Sequence, residues 1–206
     1  MEGPKFKIAI IGATGAIGKE LVRLLGNDNR VSELALLVRR KLPEWDEMEN
    51  TTPDFKEKAK YLIMENFDDL AEKLADNEVS NLDGYDAFLC TLGTRVKVGK
   101  EQFIKVDYQY PIDFATYGRN HNIKYFGHLS SQGAKSSSCM LYMKTKGEVE
   151  EALQKLGLNH LSIYRPALLL NRDNDKRLGE SIGSMIPFIP KIESKDVAKA
   201  IISHCM

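Results

Sequence analysis

The chain has 206 residues, enough for one substantial hydrophobic core and short of what two full domains need. Its 29 basic and 29 acidic side chains cancel, so no global field favours nucleic acid or an anionic membrane, and direct nucleic-acid binding is not expected. Cys90, Cys139 and Cys205 are unclustered and lack metal-ligand spacing, which excludes a disulfide framework and a metal site; Cys90, inside an apolar stretch, reads as a small core residue. The first residues lack the apolar stretch of a signal peptide and no later run reaches membrane-spanning length, so a soluble cytoplasmic protein without a membrane span is expected.

Apolar strands alternate with helical patterns along the chain, as in a parallel sheet covered on both faces. A strand at residues 7–11 runs into three spaced glycines and a helix at 17–26, with Ile17, Leu21, Leu24 and Leu25 on one face and Gly26 as its stop. The next strand, 33–38, precedes a charged stretch, 41–58, which holds Trp45 and two prolines and reads as a weak helix and a surface excursion. Further strands are expected at 59–64, 87–92, 124–130 and 161–170, and further helices at 68–77, 100–121, 141–156 and 194–204. The predicted fold is α/β: a single domain over residues 1–206, a doubly wound, mainly parallel sheet with helices on both faces. A small C-terminal flap or substrate segment is expected at about 171–206, because 171–177 is too polar for core and 182–190 mixes Gly, Pro and large apolar residues.

The apolar run Ile8–Ile11 followed by Gly12, Gly15 and Gly18 has the pattern of a strand turning into a helix around a dinucleotide pyrophosphate. Gly12 permits the tight turn, Gly15 close approach of backbone to phosphate, and Gly18 close packing of helix on sheet, while the helix N-terminus favours the anion. A structural turn also wants glycine, but the preceding strand and following amphipathic helix favour nucleotide binding. Arg39, at the end of the second strand and 27 residues after Gly12, stands where a 2'-phosphate is met, with no acidic competitor there, so NADP(H) is favoured over NAD(H); the alternative is a solvated basic strand end. Asn66 and Phe67 fall near the adenine, and Leu92 and Gly93 where backbone passes the cofactor.

Ser131 ends the fifth strand, and Tyr142 and Lys146 lie four apart on one helical face. The ammonium can stabilise a phenolate, which makes Tyr142 a general acid or base, while Lys146 can also hold ribose hydroxyls and Ser131 can bond the substrate oxygen. An isolated pair at this spacing is more often an amphipathic face, but the nucleotide loop and the serine favour the catalytic reading. The chemistry read from these residues is hydride transfer between nicotinamide and a carbonyl or alcohol carbon. Arg95, Lys97 and Lys100 could meet an acidic partner or substrate, or simply form a solvated loop.

The three glycines, Tyr142-x-x-x-Lys146 and the Arg165-Pro166 step resemble the atypical or extended short-chain dehydrogenases/reductases. Arg39-Arg40-Lys41, Cys90-Thr-Leu-Gly-Thr94, Leu129-Ser-Ser-Gln-Gly-Ala134 and the stretch 141–150 are similar, more closely, to the Tat-interacting oxidoreductase family, from Lys7 to about Arg177. The resemblance implies a Rossmann-like fold with NADPH near Thr14, Gly15, Ala16, Ile17, Arg39, Arg40, Leu92, Gly93, Tyr142, Lys146, Leu169 and Arg177. It also implies a rival role, an NADPH-responsive binding protein with a partner in nuclear transport or transcriptional control and a location extending to the nucleus or its envelope. In that reading the cofactor stabilises the segment 171–190 and so changes affinity for the partner. The chain departs from the pattern at Asp107, where many extended members carry an active-site asparagine, and in the short stretch after Pro190.

Overall fold

Along the chain the elements are β1 (Phe6–Ile11), α1 (Ala16–Gly26), β2 (Val31–Val38), α2 (Pro43–Thr51), α3 (Phe55–Lys58), β3 (Ala59–Ile63), α4 (Leu70–Ala75), β4 (Ala87–Cys90), α5 (Lys100–Ile104), α6 (Tyr110–Asn120), β5 (Tyr125–Leu129), α7 (Leu141–Lys155), β6 (Leu161–Tyr164), β7 (Leu168–Leu170), β8 (Lys191–Glu193) and α8 (Ser194–Cys205). This computed structural model describes residues 5–75, 81–170 and 191–206. Ile8, Ala9, Ile10 and Ile11 of β1 are all fully buried, so that strand needs a covering layer on each face. It sits inside an all-parallel six-stranded sheet of order β3-β2-β1-β4-β5-β6. Ile8 and Ile10 face α1 and α8 through Leu21, Leu25, Val197 and Ile201. Ala9 and Ile11 face the layer of α4, α6 and α7 through Leu70, Leu74, Phe114 and Val149.

The chain leaves β1 to build β2 and β3 on one side, then crosses back to β4 on the other. The strand order therefore reverses between β1 and β4, and a crevice opens outside their carboxyl ends, where parallel α/β sheets bind ligands. The Rossmann-like doubly wound architecture expected from the sequence is the one observed.

Several local expectations are corrected. The stretch 41–58 is helical, as expected, forming α2 and α3, but it is not only a surface excursion, because Trp45 and Phe55 are buried against the core below α1. Gly26 is the last helical residue of α1, but its role is packing, since a Cβ there would come within 2.6 Å of the Phe55 ring. The expected strand 161–170 is two strands. β6 belongs to the main sheet, while β7 pairs with β8 in a separate two-stranded sheet. Pro166 has no N–H for a ladder, and Arg165 turns its guanidinium to Glu150, so the chain changes sheets at that step. The helix expected at 100–121 is interrupted by a π-helical turn, Lys105–Gln109, between α5 and α6. The helix expected at 68–77 starts at Leu70 and is described to Ala75. The expected flap, residues 171–190, lies outside the described residues and Arg177 with it.

Glu33 ties the three strands on one side of the sheet together. Its carboxylate meets Lys7 of β1 and Lys60 of β3, each at 2.5 Å. Burial opposes its charge, but the two ammonium groups outweigh burial and hold its pKa near about 2, below the reference 4.5. A depressed folded-state pKa stabilises the protein above the unfolded value, and that contribution disappears as pH falls toward the folded value. In urea titrations, Glu33→Gln is expected to be less stable at neutral pH, and to lose stability less steeply than the parent between pH 4.5 and about 2.

Candidate active site

The glycine turn is held by contacts that separate the roles of its three glycines. Gly12 has a φ of +87°, and a Cβ there would lie 2.6 Å from the Thr91 carbonyl carbon, so strain and space both require glycine. Thr91 fixes this approach by donating its hydroxyl to the carbonyls of Ile11 and Gly12 at 3.3 and 3.0 Å. At Gly18 a Cβ would fall 2.3 Å from the Gly12 carbonyl oxygen, so glycine lets α1 pack on the turn. Gly15 differs: its φ is −77°, and the nearest atom to a Cβ would be 3.4 Å away. Nothing in the protein itself demands glycine there, which leaves room for a ligand. Gly15 is also the N-cap of α1, with no side-chain cap and no acidic residue in the first turn. The amides of that turn are therefore unmatched and suited to a phosphate.

A cavity of about 370 Å³ opens from this turn. Of the residues expected to hold the cofactor, Gly12, Thr14, Gly15, Arg39, Asn66, Phe67, Leu92 and Gly93 line it. Ala16, Ile17 and Gly18 stand behind it in the first turn of α1, where they offer backbone amides while Ile17 and Gly18 are buried. Arg39 is exposed at the cavity rim beyond Val38, with exposed Arg40 next to it but outside the lining. Asn66 accepts from the Asp68 amide at 3.0 Å and from Lys73 at 2.7 Å, which sets the turn carrying Phe67. Leu169 lies in β7, packed against the core on the α1 side, and does not line the cavity. Sequence reasoning missed Glu65, Val98, Gln102 and Tyr110 in its wall. A larger cleft of about 600 Å³ alongside is lined by Asp68, Asp69, Glu72 and Asp113, with Lys105 paired to Asp68, so its wall is net acidic and disfavours phosphate.

The residues expected to be reactive lie on α7 and the loop folded against it. Tyr142 is half-buried in the first turn of α7, with its ring 6.0 Å from that of Phe103. Lys146, one turn on, is buried and forms an ion pair with Asp107 of the π turn, Nζ to Oδ1 3.0 Å, with side chains 4% and 0% exposed. The other oxygen of Asp107 accepts from the Thr94 amide at 2.8 Å. A Cβ on Gly93 would lie 3.8 Å from the Lys146 ammonium and 3.6 Å from Asp107, so the cavity wall and the ion pair are neighbours. Ser131 is half-buried, its hydroxyl on the Gln132 carbonyl at 3.3 Å. The loop carrying it folds back on α7, where Gly147 lets the backbone of Lys135 and Ser136 pass: a Cβ would come within 2.1 Å of the Ser136 nitrogen.

Two supporting residues, Glu150 and His128, were not anticipated, and Asp107 was noted only as a departure from the family pattern. Buried Glu150 accepts from Ser130 and from the Arg165 guanidinium, tying α7 to the ends of β5 and β6. Asp107 follows Phe103 and precedes Tyr110 and Phe114 in one buried helical stripe, so a carboxylate in an aromatic row was the signal. His128 is fully buried on β5 beside Cys90 of β4, and burial together with the charge of Lys146 lowers its pKa well below the usual value.

The uncapped glycine turn, the switch-point crevice and the cavity running from Arg39 to Gly93 define a dinucleotide-binding Rossmann domain. Residues 7–116 match the model for the semialdehyde dehydrogenase NAD-binding domain. The chain is 36% identical to HTATIP2 of Rattus norvegicus across 84% of its own length and 66% of that protein's. It is 34% identical to the mitochondrial protein FMP52 of Candida albicans, across 94% of this chain and 85% of that one. Among solved structures, an ElxO variant with NADPH bound superposes with a TM-score of 0.72 at 15% identity, over 98% of this chain and 92% of that one, a likeness of fold. The chain belongs to the atypical short-chain dehydrogenases/reductases of the HTATIP2 type, with an NAD(P)-binding Rossmann domain. Among the described residues, no helix is long and apolar enough to cross a membrane.

The different surroundings of the glycines separate stability from binding. Gly18→Ala is expected to destabilise the fold by about 1–3 kcal/mol through overpacking. Gly15→Ala is expected to leave the thermal midpoint unchanged while weakening dinucleotide binding about tenfold or more, about 1.4 kcal/mol. Thermal unfolding and a cofactor fluorescence titration on both variants check this.

Proposed function

We propose that the chain is an NADP(H)-dependent oxidoreductase acting on a carbonyl or alcohol, with Tyr142, Lys146 and Ser131 as its reactive set. The observation that carries this reading is the adjacency at Gly93. The wall of the dinucleotide cavity there touches the Lys146–Asp107 pair, so a cofactor lying along the cavity from Arg39 brings its reactive end to α7. The protein-side fit is the space beside Gly15 and the unmatched amides of α1. The bound reduced dinucleotide supplies a hydride.

Each residue of the chain has a part that follows from its placement. The amides of α1 receive the pyrophosphate. Exposed Arg39, which has no ion-pair partner among the described residues, takes the 2'-phosphate, aided by Arg40. Lys146 reaches ribose hydroxyls past Gly93, Ser131 donates to the substrate oxygen, and Tyr142 exchanges the proton with that oxygen. Phe103, packed on Tyr142, excludes water from one side of the phenol.

Two variants test the assignment separately. Tyr142→Phe is expected to lower turnover by about 10²–10⁴-fold while leaving NADPH affinity unchanged; full turnover in the variant overturns the role of Tyr142. Arg39→Ala is expected to weaken NADPH by about 1.5–3 kcal/mol, roughly ten- to a hundredfold, and to leave NADH unaffected. Equal losses for the two cofactors in parallel titrations overturn the NADP(H) preference.

A further inference from the structure

Lys146 has a flexible four-carbon stem, which does not by itself place an ammonium within hydrogen-bond distance of a ligand. What holds it is one carboxylate. Asp107, from the π-helical turn, is its one ion-pair partner among the described residues, with Nζ 3.0 Å from Oδ1 and both side chains buried. That oxygen accepts no hydrogen bond, so attraction between the charges is what fixes the ammonium. The groups around it offer no substitute. Glu150, one turn further along α7, is engaged by Ser130 and Arg165. Cys90 is fully buried and its thiol is pushed up to about 12 by burial, so it carries no charge, and His128, which feels the charge of Lys146, has no negative charge to offer. Asp107 is placed in turn by its other oxygen, which accepts from the Thr94 amide at 2.8 Å, one residue beyond Gly93 in the cavity wall.

We propose that Asp107 is the positioning residue for the nicotinamide half of the dinucleotide: it holds the Lys146 ammonium at the wall beside Gly93, where the ribose hydroxyls pass. This rests on the oxidoreductase reading and adds to it a division of the cofactor site into two separately held halves. A Cβ on Gly93 would lie 3.8 Å from the ammonium and 3.6 Å from Asp107, so little more than a side chain's thickness separates the pair from the cavity. Because Oδ1 takes no hydrogen bond, the N–H donors of Lys146 are not spent on it and can meet ribose hydroxyls. The other half of the site is held by different contacts. The glycine turn is pinned by the Thr91 hydroxyl on the carbonyls of Ile11 and Gly12, and Arg39 stands at the far rim, so neither depends on Asp107. Asp107 touches neither half of the cofactor and acts through Lys146.

The test compares NADPH with 2',5'-ADP, which carries the adenosine 2'-phosphate and lacks the nicotinamide riboside, on the full chain. Asp107→Asn keeps an oxygen for the Thr94 amide and removes the charge. It is expected to weaken NADPH about tenfold in a fluorescence titration and to leave the calorimetric affinity for 2',5'-ADP unchanged, which also shows that the variant is folded. Lys146→Met is expected to give the same selective loss, and Asp107→Asn/Lys146→Met to lose no more than Lys146→Met alone. The double variant leaves no unpaired charge in the core, so it serves where a single variant fails to fold, with the same selective loss expected. NADPH affinity unchanged in a folded Asp107→Asn protein overturns the proposal, as do equal losses for the two ligands or additive losses in the double variant. If Lys146→Met alone leaves NADPH affinity intact, the ribose role of Lys146 in the oxidoreductase reading fails and the proposal with it. A parent chain that takes NADH but not 2',5'-ADP counts against the NADP(H) preference only, and NADH against ADP then makes the same comparison.

Discussion

The close approach of Gly12 to Thr91 is the contact on which the site depends. β1 and β4 are neighbours in the sheet although β2 and β3 intervene in sequence, and their exits must diverge without leaving a gap. A turn with φ of +87° sends the chain up into α1, and the Thr91 hydroxyl pins that turn to the strand beside it. Because β4 and residues 8–11 of β1 are fully buried, the carboxyl ends of the two strands cannot shift independently. The crevice thus has rigid walls on the two sides where the phosphates and the chain after β4 must pass.

The second organising element is the buried pair between Lys146 and Asp107. Burying two charges is costly in itself, and such a pair gives little net stability over apolar residues of the same size. Its presence at 4% and 0% exposure is therefore better explained by what it does at the cavity wall than by what it adds to the fold. Through Thr94 it also fixes the chain following Gly93, so one carboxylate both pairs with Lys146 and holds the wall of the cofactor cavity. Glu150 does the corresponding work on the far side of α7, where it holds Ser130 and Arg165. One helix thus carries Tyr142, Lys146 and the brace for the strand end.

How much of this was legible in the sequence depended on whether the cause was local. β1, the glycine turn and α1 were readable because an apolar run, a positive-φ glycine and an amphipathic period lie within a few residues of one another. Trp45 and Phe55 were misread because their burial depends on a distant partner: Phe55 fills the space that Gly26 leaves on α1. The strand expected at 161–170 failed at a local signal that was present, Pro166, whose missing N–H marks the change of sheet. Asp107 was visible as a departure, and its place in the buried row of Phe103, Tyr110 and Phe114 was also visible, but its ionic partner was not. Periodicity assigns a residue to a face, while pairing across helices is decided by the fold.

The electrostatics of the cavity's outer end follow the same logic of opposed charges. The acidic cleft of Asp68, Asp69, Glu72 and Asp113 shares Tyr110 with the cofactor cavity, and the Tyr110 hydroxyl donates to Asp68 at 2.8 Å. Glu65 adds a further carboxylate to the cavity wall. A phosphate entering here meets a negative background on the β3 side, while exposed Arg39 and Arg40 stand beyond the end of β2. In the proposed NADP(H) reading, discrimination for a 2'-phosphate rests on exposed Arg39 and Arg40 at the rim, where solvent screens them, instead of on a buried cluster. Since attraction to an exposed cation weakens with salt while the α1 amides act at contact, that reading makes the preference between the two dinucleotides more salt-sensitive than the ability to bind either.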